Sequence, residues 1–228
     1  MTIGSRGALR RFWESDPALS LFLGLLVLFL FVLPLLAEPE GRGRSLVLDL
    51  GFSALLLAGV AAVSSRPAVR AALFGLVVVA TAVRWGRFSA QATVAAGLVS
   101  VAAMALVVLA QTFRAGPVNV HRIQGAVAAY LLLGLGWALA YELVALLVTG
   151  AFSGSGLGEG ERQGFVYFSF VTLSTVGYGD VTPVHPVARS LAVAEALTGQ
   201  LYPAILIGRL VSLATGSGPA GPATGTSR

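Results

Sequence analysis

The chain contains one short stretch, Thr-Val-Gly-Tyr-Gly-Asp beginning at Thr175, whose residue types could coordinate a cation through the backbone. In an ordinary strand, successive carbonyls point to opposite sides. Gly177 and Gly179 can adopt a positive φ without a Cβ penalty, which lets successive carbonyls face the same way. Such a row of oxygens, with the Thr175 hydroxyl at its inner end, could replace the water around a dehydrated cation. Val176 and Tyr178 would then point away from the oxygens and pack behind them.

The chain that must position this stretch is strongly apolar. Of its 228 residues, 56% are hydrophobic and only 11% are charged, whereas soluble domains carry about 25% charged residues. This composition predicts a lipid environment. The net charge of +5 comes from arginines scattered between apolar runs. They form no basic patch, so no nucleic-acid partner is predicted, and they fit loop charges that orient membrane spans.

Residues for other kinds of chemistry are sparse. The chain has no cysteine, which excludes disulfides, thiol catalysis and cysteine-ligated metals. Its two histidines, His121 and His185, lie far apart next to helix boundaries, whereas a catalytic zinc typically takes three protein ligands. No nucleophile–base pair is recognisable. We therefore expect neither an enzyme nor a cofactor.

Six apolar segments are long enough to cross about 30 Å of hydrocarbon as helices. The predicted spans are 18–37, 46–63, 68–85, 88–113, 123–152 and 184–213. A glycine-rich loop at 154–160 follows the fifth span, and the next run, 163–174, is too short and too polar to cross the bilayer. The pattern predicts an all-α membrane protein with six transmembrane helices and a re-entrant pore helix and filter loop between the fifth and sixth. The first span is too long for the core of a secretory signal.

The arginines also predict an orientation. With the N-terminus in the cytoplasm, nine of the 15 arginines lie inside and six outside, which is the expected direction. Both termini are then cytoplasmic, and the re-entrant segment lies at the outer face of the cell membrane, with lipid as a partner. The predicted divisions are a cytoplasmic N-terminus (1–17), a four-helix membrane domain (18–113), a pore domain (114–215) and a cytoplasmic tail (216–228). The polar, glycine- and proline-rich tail is predicted to be disordered.

The stretch 175–180 resembles the selectivity filter of potassium channels. Its place after a short helix, between two spans, is that of the bacterial pore-loop (voltage-gated-like) cation channel superfamily. The resemblance is specific over about 164–211 and architectural before that. It implies a homotetramer around one pore, with Asp180 at the outer mouth and Gly179 completing the filter. Potassium, the permeant ion, would bind at Thr175, Val176, Gly177 and Tyr178. The alternative, a chance turn between two helices, is disfavoured because irregular backbone at membrane depth needs a special reason.

The resemblance extends into the last helix. Gly199 lies twenty residues after Gly179, the position of a gating-hinge glycine in simple potassium channels. Pro203 follows one turn later and removes a backbone hydrogen bond, which predicts a kink. Alternatively, Gly199 only allows close helix packing. By the same alignment, Gln200, Pro203 and Ile207 face the cavity below the filter.

Three positions that support the filter bear on how closely the chain follows the family. Val171 replaces the glutamate that the simplest channels place behind the filter, so Asp180 lacks a carboxylate partner. Phe168 stands where a tryptophan often donates to the filter aspartate. Thr172 remains available to the Tyr178 hydroxyl. Potassium selectivity is still expected with these departures, but the rigid filter of the family is no longer implied.

Two carboxylates, Glu142 and Glu195, lie inside the fifth and sixth predicted spans. A charge at mid-membrane costs roughly 2.5–3.5 kcal/mol on insertion scales, so each is a functional candidate. Glu195 could pair behind the filter or tune gating with pH, and Glu142 is interpreted as a structural, hydrogen-bonded residue. A third carboxylate, Asp49 in the second span, is interpreted as single and neutral.

The fourth predicted span, 88–113, contains no arginine. Voltage-sensing relatives carry arginines at every third position of this helix. Arg84 and Arg87 precede the span and Arg114 follows it, where they are expected at the membrane interfaces. The resemblance is thus to a channel without an arginine-bearing voltage sensor.

Two other functions fit parts of this pattern. A potassium transporter subunit would resemble this pore, but such transporters carry four degenerate loops in one chain, and this chain has one full Gly-Tyr-Gly loop. A non-conducting regulatory membrane subunit would differ in passing no ions when purified. No nucleotide-binding or ion-regulatory domain is predicted, which leaves a separate regulatory subunit among the possible partners.

Overall fold

Helices dominate the computed structural model, which describes residues 17–36, 42–63, 67–86, 88–113, 120–154 and 162–215. The first helix, α1, has three consecutive parts: an α-helical part Pro17–Val27, a π-helical turn Leu28–Val32 and a last α-helical turn Leu33–Leu36. The later helices are α2 (Arg42–Val63), α3 (Pro67–Trp85), α4 (Ala90–Thr112), α5 (Val120–Leu147), α6 (Arg162–Leu173) and α7 (Pro186–Thr215). Two strands, β1 (Phe152–Gly154) and β2 (Val181–Pro183), form an antiparallel pair.

Proline and serine set the starts of several helices. Pro17, Pro67 and Pro186 are each the first residue of a helix, where the missing amide costs nothing and the fixed φ suits the helix. Helix α4 begins instead after Ser89, whose side chain accepts a hydrogen bond from the Ala92 amide at 3.3 Å. This N-cap satisfies one of the amides that have no partner inside the helix.

The π-helical turn of α1 has an identifiable cause. Pro34 lies inside the helix and has no amide to donate to the carbonyl four residues earlier. Just before it, the Leu33 amide donates to Leu28, five residues back, which is the π-helical pattern. Insertion of one extra residue into the turn accommodates the proline without ending the helix.

The hydrophobic core joins the first four helices to α5. Helix α4 packs along α5, and α1 packs against both α2 and α5. The shared core contains fully buried side chains from each of these helices, among them Phe22, Leu55, Met104 and Leu132. Helix α5 also packs against α6, and α6 against α7. The short helix α6 is thereby held between the two long helices that flank it in sequence.

Among the described residues, four helices are long and apolar enough to cross a membrane: Pro67–Trp85, Ala90–Thr112, Arg122–Leu147 and Pro186–Arg209. Two shorter apolar helical segments, Leu19–Leu35 and Leu46–Ala62, correspond to the first two predicted spans. Large apolar side chains such as Leu21, Phe74 and Leu106 lie exposed on the outside of the bundle, as expected for lipid-facing surfaces. A mostly helical, multi-pass membrane protein is therefore confirmed, and the number of six spans stays a prediction.

Two sequence predictions are wrong in the part of the chain that follows α5. The fifth span was expected to reach Phe152, but α5 ends at Leu147 and Phe152 lies in β1. The chain turns at Gly150, which has a φ of 73°, a conformation that glycine adopts without penalty. The all-α expectation also omitted the two strands. They pair a segment before α6 with a segment after it, and so give their backbone groups hydrogen-bond partners. The predicted loop beyond β1, the N-terminus before residue 17 and the tail at 216–228 lie outside the described residues.

Candidate ion pathway

The segment after α6 folds back onto the last turn of that helix. The amide of Thr175 donates to the Thr172 carbonyl at 2.9 Å, and the amides of Val176 and Gly177 both donate to the Val171 carbonyl, at 3.0 and 3.3 Å. The first three backbone amides of this segment are therefore occupied by carbonyls of the helix.

The backbone of this segment alternates in handedness. Thr175, Gly177 and Gly179 have positive φ values of 60°, 59° and 80°. In the part of the chain that the structure describes, Thr175 is the only residue other than glycine with a positive φ. A change of handedness at every second residue turns successive carbonyls to one side. This is the arrangement that Gly177 and Gly179 are predicted to allow.

The positive φ of Thr175 was not predicted. A β-branched residue in this region is a genuine outlier. Such strain costs about 1–3 kcal/mol and persists where the surroundings fix it, often at functional sites. The hydrogen bond from its amide to Thr172 is one of the contacts that hold it there.

The side chains expected behind the oxygens are not packed within the single chain. Val176 is 54% exposed and Tyr178 is 71% exposed. Within the described chain, the Tyr178 hydroxyl also makes no hydrogen bond to Thr172. No element of the same chain covers that side, so the packing of these side chains behind the filter stays a prediction for an assembly of several copies.

The C-terminal end of the segment is held by a side chain that the sequence analysis missed. The Tyr167 hydroxyl on α6 donates to Asp180 Oδ2 at 2.7 Å, and the Val181 amide donates to Oδ1 at 3.1 Å. The hydrogen bond to Asp180 raises the pKa of Tyr167 above its usual value near 10. The hydroxyl therefore stays protonated and remains a donor. Tyr167 thus gives Asp180 a hydrogen-bond donor that Phe168 and Val171 cannot provide.

The two strands also hold this end of the segment in place. Gly154 is paired with Val181 in the ladder, directly after Asp180, and the Ser153 and Thr182 hydroxyls lie 2.9 Å apart. Gly154 has a φ of 141°, and a Cβ there would lie 2.8 Å from the Val181 Cα. Only glycine allows the loop after α5 to approach the backbone of Asp180 and Val181 this closely.

An aromatic cluster fills the space behind α6. Phe168 is buried, and its ring centroid lies 4.9 Å from that of Tyr141 and 5.7 Å from that of Phe152. Phe165 contacts Phe152 at 5.2 Å. Phe168 therefore supports α6 by packing, and it offers no hydrogen-bond donor. Val171, predicted to lie behind the filter, contributes its backbone carbonyl.

Glu195 on α7 lies beside this cluster and is fully buried. The Tyr141 hydroxyl donates to its Oε2 at 2.5 Å, and the Ser169 Oγ lies 2.5 Å from its Oε1. This carboxyl group therefore joins α5, α6 and α7 at one point. Glu142, the other intramembrane carboxylate, is only half-buried.

Gly199 lies where α7 crosses the end of α6. A Cβ at this position would lie 2.7 Å from the Leu173 carbonyl carbon and closer still to its oxygen. Close packing is thus a role of Gly199 in this structure. Helix α7 runs without interruption through Gly199 and Pro203. One turn from Gly199, the Tyr202 hydroxyl donates to the Ala126 carbonyl of α5 at 2.7 Å.

The residues predicted to face a cavity, Gln200, Pro203 and Ile207, are all exposed in the single chain. Their spacing of three and four residues places them along one side of α7. His185 accepts a hydrogen bond at Nδ1 from the Val187 amide at the start of α7, so this histidine caps the helix. Among the described residues, no group of three His, Cys, Asp or Glu side chains could hold a metal.

The family comparison matches this region of the chain. Residues 128–215, which include α6, α7 and the segment between them, match the protein family described as Ion channel. The comparison supports a pore-loop ion channel.

Similar proteins cover parts of the same region. Protein LctB of Bacillus caldotenax is 37% identical over 87 residues, which are 36% of this chain and 64% of that protein. Protein LctB of Geobacillus stearothermophilus is 52% identical over 46 residues, 20% of this chain and 34% of that protein. Two pore potassium channel c of Oryza sativa subsp. japonica is 43% identical over 47 residues, 21% of this chain and 10% of that protein. The chain thus spans less than two thirds of each relative, and no solved structure matches it significantly.

The first four helices of the chain contain an ion pair that the sequence analysis did not anticipate. The Arg84 Nε lies 2.7 Å from Asp49 Oδ1, and the Arg84 guanidinium carbon lies 4.6 Å from the centroid of the Phe52 ring. The Arg84 side chain is 5% exposed. The interpretation of Asp49 as a single neutral carboxylate is therefore wrong, because a buried arginine compensates its charge. The place of Arg84 at a membrane interface stays a prediction, and Arg87 and Arg114 lie outside the described residues.

Proposed function

We propose that this chain is one subunit of a potassium-selective channel that conducts K⁺ passively. The observation that carries the proposal is the alternating handedness of Thr175, Gly177 and Gly179 within the sequence Thr-Val-Gly-Tyr-Gly. Carbonyl oxygens turned to one axis replace the hydration shell of K⁺, and the number and spacing of these oxygens set selectivity. The similarity to a plant protein named as a potassium channel supports K⁺ as the permeant ion.

A pore needs more than one copy of the chain. One chain offers one arc of carbonyls, and the resemblance to potassium channels implies four arcs around the axis. The exposure of Val176 and Tyr178 supports this assembly, because a neighbouring copy would cover the side chains that the single chain leaves uncovered. In the homotetramer, Gln200, Pro203 and Ile207 line the cavity below the filter.

The electrostatics of the segment suit a cation. The C-terminal end of a helix carries about half a negative charge, and α6 ends at Leu173, next to Thr175. Asp180 adds a carboxylate at the outer mouth, where it is exposed. K⁺ leaving bulk water therefore meets negative potential at both ends of the filter.

We place the channel in a bacterial cell membrane with six spans and both termini in the cytoplasm. The pore domain comprises residues 114–215, and residues 18–113 form a sensor-like domain that surrounds it. The contacts of α1 and α4 with α5 support a scaffolding role for that domain. Lipid, or a separate regulatory subunit, could supply the gating stimulus.

Ion flux through purified protein in liposomes tests this function. We expect tetramers in detergent and, after reconstitution, flux of K⁺ and Rb⁺ but little of Na⁺. Comparable Na⁺ and K⁺ flux would refute potassium selectivity. Flux that requires a second bound substrate would indicate a transporter, and tetramers that pass no ion would indicate a regulatory subunit.

Voltage is expected to change the open probability only weakly. Each charge moved across the membrane contributes about 2.3 kcal/mol per 100 mV, and α4 contains no arginine. The buried Arg84 is held by Asp49 and by the Phe52 ring, so it is not free to move. Single-channel recordings at negative and positive potentials measure the dependence. A conductance–voltage curve with a slope of several charges per subunit would contradict this expectation.

A further inference from the structure

Three short oxygen–oxygen contacts meet at the junction of α5, α6 and α7. The Tyr141 hydroxyl lies 2.5 Å from Glu195 Oε2, and the Ser169 Oγ lies 2.5 Å from Glu195 Oε1. The same Ser169 Oγ lies 2.7 Å from the Gly134 carbonyl oxygen of α5. Ser169 and Glu195 are both fully buried, so water does not compete for these contacts.

Each hydrogen bond needs one proton between its two oxygens. The number of protons needed therefore shows whether Glu195 is a carboxylic acid or a carboxylate. The Gly134 carbonyl has no proton, so its contact with Ser169 uses the only proton of that hydroxyl. The proton between Ser169 and Glu195 must then come from Glu195. Tyr141 donates its own proton to the other oxygen of Glu195. A carboxylic acid completes all three hydrogen bonds, whereas a carboxylate leaves one of the two Ser169 contacts without a proton.

The surroundings of Glu195 also favour the neutral acid. In the described part of the chain, no ion pair involves Glu195. The titratable groups that face it are the Tyr141 and Tyr130 hydroxyls of α5, and α6 faces it with Ser169. The Tyr130 hydroxyl donates to the Leu173 carbonyl at 3.4 Å. Without a nearby cation, a charged carboxylate at this depth is unfavourable.

We propose that Glu195 is a protonated positioning residue for conduction. As a neutral acid it donates to Ser169 and accepts from Tyr141, and so it fixes the pore helix α6 between the two spanning helices. Ser169 lies six residues before Thr175, so a shift of α6 moves the filter. The residue acts through Ser169 and does not touch the ion. This role rests on the proposed channel function, but the protonation state does not.

Two substitutions at Glu195 test separately whether conduction needs hydrogen bonds at this position or a negative charge. Glu195→Gln keeps one donor for Ser169 and one acceptor for Tyr141 and cannot ionise, so its K⁺ flux should stay within about twofold of wild type. Glu195→Leu leaves both hydroxyls without that partner, and its flux should fall by roughly tenfold or more. At alkaline pH the wild-type flux should fall reversibly as Glu195 loses its proton, whereas Glu195→Gln should show no such fall.

Loss of flux in both variants, with tetramers intact, would mean that the charge is required and would overturn the proposal. Unchanged flux in Glu195→Leu would overturn the positioning role. If Glu195→Leu does not assemble, the comparison of wild type with Glu195→Gln still tests whether the charge is required. Infrared spectroscopy of the wild-type protein tests the proton directly. The carbonyl band of a carboxylic acid should disappear in Glu195→Gln and persist in Glu142→Gln, and its absence from wild type would refute the protonated state even if no flux is found.

Discussion

Replacement of Gly177 with alanine is expected to abolish potassium flux. Gly177 has a φ of 59°, and a Cβ there would meet no atom of the same chain within 4 Å. The effect within one chain therefore comes from the backbone conformation alone, which costs an L-residue roughly 1–2 kcal/mol. If four copies must hold this conformation together, the cost is about 4–8 kcal/mol, and the conducting geometry becomes roughly a thousandfold rarer or more.

The measurement is K⁺ flux from liposomes with matched amounts of tetramer. Gly136→Ala is the control, because it makes the same substitution in α5, where a Cβ would lie at an ordinary 3.9 Å from Val101. Alanine also favours a helix over glycine by about 1 kcal/mol. Flux in Gly177→Ala equal to that of the control would show that this positive φ is not needed for conduction.

The helices were predictable because apolar runs, and the glycines and prolines that bound them, specify helices locally. The run 163–174 predicts the pore helix to within one residue at each end, since a glycine-rich segment precedes it and a glycine–aromatic segment follows it. Similarly, Pro67 and Pro186 mark helix starts that fall within two residues of the predicted ones. The positive φ of the two filter glycines follows from their residue type.

The supports of the filter were not predictable, because they depend on residues distant in sequence. The hydrogen bond between Tyr141 and Glu195 joins positions 54 residues apart, and that between Tyr167 and Asp180 joins different elements. The Asp49–Arg84 pair was missed for the same reason. A polar side chain in an apolar run signals that it needs a partner, but the sequence does not say which one. Tertiary packing makes that choice.

Replacement of Gly199 with alanine is expected to destabilise the channel tetramer and to reduce flux. The Cβ would press on the Leu173 backbone, whose carbonyl carbon would lie only 2.7 Å away. A backbone atom cannot turn aside as a flexible side chain can, so α7 or the end of α6 has to move. Overpacking of this kind costs about 1–3 kcal/mol at each site, and the proposed homotetramer would contain four such sites.

Gly208→Ala is the matched control, since it lies on the same helix and a Cβ there would meet nothing within 4 Å. The midpoint of thermal tetramer dissociation should fall in Gly199→Ala and stay constant or rise slightly in Gly208→Ala, because alanine favours the helix. This comparison also separates packing from hinge function. A pure hinge would change channel opening in Gly199→Ala and leave the dissociation midpoint at its wild-type value. We expect the midpoint to fall, because Leu173 is the last residue of α6 and the strained contact lies two residues before Thr175, so that any relief of the clash displaces the filter itself.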